Sequence, residues 1–146
     1  MPTSVGPLES EGDGEVAHFT SGESADAEAL GGVLRRIPIR LARCIDVAPG
    51  WYSLIIDTDE RLAAIDPNYA VLQIKEKFGV LRYYCQPSGE VPTPAVCDAL
   101  DAITQAAERT SATICEWCGG PGTLVDVNGW LKTLCKKCEE PGQALA

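Results

Sequence analysis

The chain has 146 residues, with 12 Lys and Arg against 21 Asp and Glu, a single histidine and seven cysteines. That length suffices for one modest domain with its own core, and no run is apolar and long enough to span a bilayer or to serve as a secretory signal. The odd cysteine count argues against a closed disulfide framework, and the chain reads as a cytoplasmic protein.

Charge is distributed unevenly. Residues 1–30 contain no Lys or Arg and seven carboxylates, so most of the formal charge of −9 sits there. This stretch is rich in Ser, Gly, Glu and Asp without a periodic apolar stripe, a composition that cannot offset its own ordering entropy. It reads as a disordered acidic tail. After Gly31-Gly32 comes the most basic segment, with Arg35, Arg36, Arg40 and Arg43 interleaved with apolar residues around Pro38. It is either a short strand before the proline and a helix after it, or an extended arm.

From Trp51 to Ile65 apolar residues recur at helical spacing until Asp66-Pro67 ends the run, predicting an amphipathic helix of about four turns. Asp57, Asp59 and Glu60 fall on its solvated face. Val71 to Cys85 predicts two strands joined at Phe78-Gly79, with Leu72, Ile74, Leu81, Tyr83 and Cys85 inward, Gln73, Lys75, Lys77, Arg82 and Tyr84 outward, and Glu76 as the misfit on the inner side. A two-residue loop would oppose Lys75 to Arg82, mildly destabilising unless an anion or carboxylate intervenes. Phe is a poor first residue for such a loop, so a different loop length remains open. Thr93-Pro94 then starts a second helix, lined on one side by Val96, Ala99, Leu100, Ile103, Ala106 and Ala107, expected to pack over the hairpin's inner face.

The C-terminal segment carries the strongest signal. Cys115-x-x-Cys118 and Cys135-x-x-Cys138 are separated by sixteen residues, within the range of a four-thiolate zinc site. Between them two strand-like runs flank Asn128-Gly129, the strongest two-residue hairpin signal. Two knuckles around a hairpin predict a zinc ribbon holding one Zn²⁺. With four cysteine ligands no position is open to water or substrate, so the metal would be structural. Lys132, Lys136 and Lys137 lie close enough in sequence to screen the site's negative charge. The other cysteines, Cys44, Cys85 and Cys97, read as small buried hydrophobes.

The expected architecture is therefore α+β: an acidic tail (1–30), a domain of two amphipathic helices packed on a hairpin (31–112), and a zinc ribbon (113–146). The order Gly50-Trp51, then Lys75-Glu76-Lys77-Phe78-Gly79 with Leu81-Arg82 and Tyr84, then Cys-x-x-Cys-Gly-x-Pro-Gly, Trp130 and Leu134-Cys135 resembles a group of small uncharacterised zinc-ribbon proteins of bacteria and their phages. That resemblance supports the fold and implies no catalytic residue. The spacing is also similar to that of GATA-type zinc fingers, but residues 139–146 supply no basic tail of the kind those fingers use on DNA.

The only histidine, His18, lies in the acidic tail, which argues against His-based triads, His-containing zinc catalysis and the zinc-deaminase signature. No phosphate-binding glycine loop is present. The sequence thus points to a non-catalytic binding module that engages a protein partner, as an accessory or regulatory factor of a bacterium or phage, in the host cytoplasm if phage-encoded. The alternative is a nucleic-acid-binding protein using Lys75, Lys77, Arg82 and Tyr84 with Arg35, Arg36, Arg40 and Arg43, where cations flank an aromatic able to stack on a base.

Overall fold

Helix α1 (Ser21–Arg35) opens the fold in a computed structural model that describes residues 21–89 and 92–139. Strand β1 (Ile45–Asp46), a 3-10 turn (Pro49–Trp51), α2 (Tyr52–Ile65), β2 (Ala70–Lys77), β3 (Val80–Gln86), α3 (Pro94–Ser111), β4 (Thr123–Val127), β5 (Trp130–Leu134) and the one-turn α4 (Lys136–Glu139) follow. The molecule is mixed helix and strand, with two small sheets and a cluster of cysteines near the C-terminus. Among the described residues no helix is long and apolar enough to cross a membrane.

The first correction concerns the acidic tail. Residues 1–20 lie outside the described residues, but from Ser21 the chain is helical, ten residues before the expected end of the tail and straight through Gly31-Gly32. Leu30, Val33, Leu34 and Ile37 recur at helical spacing and enter the main core, Val33 and Ile37 with no exposed surface. Burying such side chains, about 1.5–3 kcal/mol each, outweighs the roughly 1 kcal/mol that each glycine costs a helix. The basic stretch is accordingly the end of a helix before Pro38, followed by a turn into β1, rather than a strand or an arm.

The main sheet has the order β1-β2-β3, with β1 parallel and β3 antiparallel to β2. Its loop has two residues, Phe78 (φ 56°) and Gly79 (φ 85°), both left-handed, as a type I′ turn requires. Lys75 does oppose Arg82. Glu76 is no misfit, because its Oε2 accepts the Gly79 N–H at 2.8 Å and steadies the turn. One inward residue differs from expectation. A bulge between Val71 and Gln73 shifts the register, so Val71 is buried in the core while Leu72 faces the opposite side.

Helix α3 begins as its sequence requires, with Thr93 Oγ1 accepting the Val96 N–H and Pro94 at the first position. Its last turn is pinned to the sheet by Ser111, whose fully buried Oγ accepts the Leu81 N–H at 2.9 Å and donates to the Glu108 carbonyl. Trp51, Ile55, Leu62, Val71, Ile74, Leu81 and Leu100 make one core with the residues of α1.

A polar network crosses the edge of that core. Arg36 Nε pairs with Asp59 Oδ1 at 2.7 Å, its Nη1 donates to the carbonyls of Pro67 and Tyr69, and its guanidinium lies 4.3 Å from the Tyr69 ring centre. The Tyr69 hydroxyl donates to Asp59 Oδ1 and meets the Tyr83 hydroxyl, both at 2.6 Å. Burial, reinforced at Tyr69 by Tyr83 and Asp59 and only partly offset at Tyr83 by the Tyr69 hydrogen bond, pushes both phenols well above their ordinary range. Asp59 is thus a partner inside the fold, not part of a solvated face. At the end of α2, Asp66 accepts the Ser88 hydroxyl and amide at 2.6 and 2.7 Å. Those bonds hold its carboxyl below the usual range.

Candidate metal centre

The cysteine unit is built on a second hairpin, β4–β5, closed by Asn128 (φ 55°) and Gly129 (φ 89°) and registered from Thr123↔Leu134 to Val127↔Trp130. Asp126 Oδ1 accepts the Gly129 N–H at 2.7 Å across that turn. The chain reaches the first knuckle directly from α3 and returns to the second straight from β5, so the hairpin's open end brings both Cys-x-x-Cys pairs together.

The Sγ atoms of Cys115, Cys118, Cys135 and Cys138 all lie within 4.8 Å of one another, placed where they could hold a metal ion. A tetrahedron of metal–sulfur bonds of about 2.3 Å requires sulfurs roughly 3.8 Å apart; Cys118 and Cys135 are 3.7 Å apart, and all four thiols are free. Each knuckle turns backbone amides toward sulfur. Gly120 N–H donates to Cys118 Sγ and Cys138 N–H to Cys135 Sγ, both at 3.4 Å. Donor type, spacing and amide support therefore fit a metal.

The four thiols perturb one another in opposite directions. Burial opposes ionisation of Cys115, but amides of Cys118, Cys135 and Trp117 outweigh it and bring the thiol to about 7. The Cys138 amide lowers Cys135, whereas burial and neighbouring sulfurs push Cys138 up to about 12. At Cys118 the Gly120 amide favours the thiolate, yet the neighbouring sulfurs win and raise it. Four thiolates in contact repel, and a bound cation removes that opposition.

The cysteine unit is joined to the α+β body along a seam that sequence reasoning missed. Gly50 N–H donates to the Glu116 carbonyl at 2.7 Å, and Trp51 Nε1 donates to the Ile114 carbonyl at 2.9 Å. A Cβ on Gly50 would collide with the carbonyl oxygens of Cys115 and Glu116, so this position must be glycine for the first knuckle to seat. Glu116 is 4% exposed, accepts the Ala48 N–H through Oε2, and has Lys132 Nζ 3.9 Å from Oε1. Lys132 also bridges to Glu76 at 3.3 Å, and Thr133 Oγ1 donates to the Gly79 carbonyl at 2.7 Å. The only sequence hints were the position of Glu116 between two ligands and the Gly-Trp pair. Lys132 therefore serves the seam; Lys136 and Lys137 remain exposed beside the sulfurs.

The eight other candidate residues do not form one surface. Arg36 is consumed by Asp59 and Tyr69, as above, and Arg43 closes the end of α1, its Nη2 donating to the Arg35 carbonyl at 3.5 Å and its Nε to the Ile37 carbonyl at 2.7 Å. Arg35 and Arg40 are exposed. Lys75, Lys77, Arg82 and Tyr84 share the outer face of the main sheet, with Arg82 Nη1 3.6 Å from Glu108 Oε2 on α3. Of the isolated cysteines, Cys85 is half-buried and its thiol is pushed up to about 11 by burial and by Asp101. Cys97 is also half-buried. Cys44 is exposed, contrary to expectation, because the turn after Pro38 carries it along the sheet's outer face instead of into the core.

The chain matches no protein-family model, no curated protein and no solved structure.

Proposed function

We propose that the protein is a non-catalytic binding module whose C-terminal unit is a zinc ribbon, folded around one structural Zn²⁺ held by Cys115, Cys118, Cys135 and Cys138. The convergence of four sulfurs carries this reading, since four thiolates complete a tetrahedron and leave no site for substrate. Tetrahedral sulfur also suits iron; metal analysis of protein purified without added metal separates the two, with one zinc per chain expected and iron or no metal contradicting the assignment.

The partner is a protein, and the contact lies where the two hairpins meet. Phe78, Leu124 and Leu131 are 63%, 49% and 40% exposed; Leu124 and Leu131 share one face of β4–β5, and Gly79 lies against the Leu124 side chain and the Leu131 backbone, which brings Phe78 to the same junction. Trp130, 72% exposed, stands at the tip of β4–β5 on the hairpin's other face, because it alternates with Leu131. Phe78 is held in a left-handed conformation that costs a bulky residue about 1–2 kcal/mol, a strain of the kind found at binding sites. Exposed Lys77 has its Nζ 5.5 Å from the Phe78 ring centre, which suits a partner presenting apolar side chains beside a carboxylate. The role is that of an accessory or regulatory factor in the cytoplasm of a bacterium or phage host, in keeping with the resemblance to small zinc-ribbon proteins of that origin.

Phe78→Asn tests this directly, because Asn-Gly is the preferred pair for the turn. The variant should be about 1 kcal/mol more stable in denaturant unfolding and should lose partners that wild type retains in quantitative affinity capture. Identical capture by the two proteins would overturn the assignment of this surface.

A further inference from the structure

The outer face of the β1–β2–β3 sheet is flanked by α3 at Arg82 but open over Gln73, Tyr84 and Gln86, and it carries a groove of about 710 Å³ walled by the turn of residues 40–44. Tyr84, 42% exposed, stands in it opposite Gln73 on β2, with Gln86 two residues along on its own strand. Two residues further toward the turn, roughly 7 Å along the strand, come Lys75 and Arg82 facing each other, with Lys77 beyond and Arg40 on the groove wall. Four cations thus meet two carboxylates, Asp46 beside Lys75 and Glu108 beside Arg82. The opposed Lys75 and Arg82 repel, and Arg82 Nε is buried with no hydrogen-bond partner among the described residues.

We propose that this face binds single-stranded nucleic acid. Tyr84 provides a stacking platform for a base, the amides of Gln73 and Gln86 offer donors and acceptors to base edges, the opposed Lys75 and Arg82 share one phosphate, and Arg40 and Lys77 meet one on either side. An anion between Lys75 and Arg82 relieves their repulsion. The strand length of β2 (Ala70–Lys77), at about 3.3 Å per residue, exceeds what one nucleotide spans. That makes an extended strand the fitting ligand rather than a free nucleotide. The site is separate from the cysteine unit, so it stands or falls independently of the zinc assignment.

The test is fluorescence anisotropy of the full, metal-loaded chain with fluorescein-labelled ten-nucleotide oligothymidylate and oligouridylate at 50 and 200 mM salt. The expected result is binding that weakens about 20-fold between the two salts if three phosphates are neutralised. Tyr84→Ala should weaken it at least about fivefold and Tyr84→Phe should restore it, as stacking requires. Lys75→Ala should flatten the salt slope by roughly 0.7. Both side chains lie outside the core, and melting curves establish that the three variants fold. Absence of binding at 50 mM salt, unchanged affinity of Tyr84→Ala, or displacement by a mononucleotide as effective as by the unlabelled oligomer would each overturn the proposal.

Discussion

The α+β body and the cysteine unit are held together by different physics. Twelve buried apolar residues form the body's core, whereas only Cys115 and Leu134 are buried in the cluster beneath β4–β5. Burial at about 1.5–3 kcal/mol per large side chain falls far short of the 1–2 kcal/mol per residue needed to order the backbone of residues 113–138. The body should therefore fold on its packing alone, while the cysteine unit needs a metal and the seam through Gly50, Trp51 and Glu116. Stability is thus local, and a perturbation of one region need not carry to the other.

Metal removal should break the comparison most severely. Structural zinc contributes on the order of 10 kcal/mol at neutral pH, so a chelator, or Cys138→Ala, should unfold residues 113–138 while circular dichroism retains most of the helical signal of α1–α3. Gly50→Ala should come next, costing about 3 kcal/mol because the added methyl drives the Cys115 and Glu116 carbonyls off the seam. Metal affinity measured by chelator competition should fall along with the midpoint of unfolding.

Two smaller changes should act on the body alone. Asp66→Asn removes a charged acceptor for Ser88 and should cost about 2 kcal/mol at pH 7. Because the folded carboxyl titrates below its ordinary value of 3.8, its stabilisation is complete above that value and is lost as pH falls through the folded pKa. Melting temperatures of wild type and variant should converge on acidification, with metal affinity at pH 7 equal in both. Gly31→Ala should raise stability by about 0.5–1 kcal/mol in thermal unfolding, since a methyl there meets only the Arg35 side chain at 3.5 Å.

Where one local pattern decided the structure, the sequence could be read. The α2 and α3 stripes, the Phe78-Gly79 and Asn128-Gly129 turns and the pairing of the cysteines are all short-range signals, and all appear in the structure. What escaped depended on contacts across the chain. Leu30, Val33, Leu34 and Ile37 form a helical stripe, but the composition of residues 1–30 set the boundary of the acidic tail in its middle, because the core that receives the stripe is made by α2 and the sheet. Arg36 looked like a free cation until Asp59, 23 residues later, met it. The bulge at Leu72 belongs to the pairing of β2 with β3, and the outward Cys44 to the turn that leads into β1. Gly50 and Glu116 acquire their roles only from each other.

Hydrogen exchange by mass spectrometry on the metal-loaded and chelator-treated protein tests the central claim most directly. Chelation should strip protection from residues 113–138 while leaving the amides of β2, β3 and α3 protected to nearly the same degree. Equal protection of the cysteine unit with and without chelator would contradict a structural metal, and collapse of protection throughout would contradict an independently folded body.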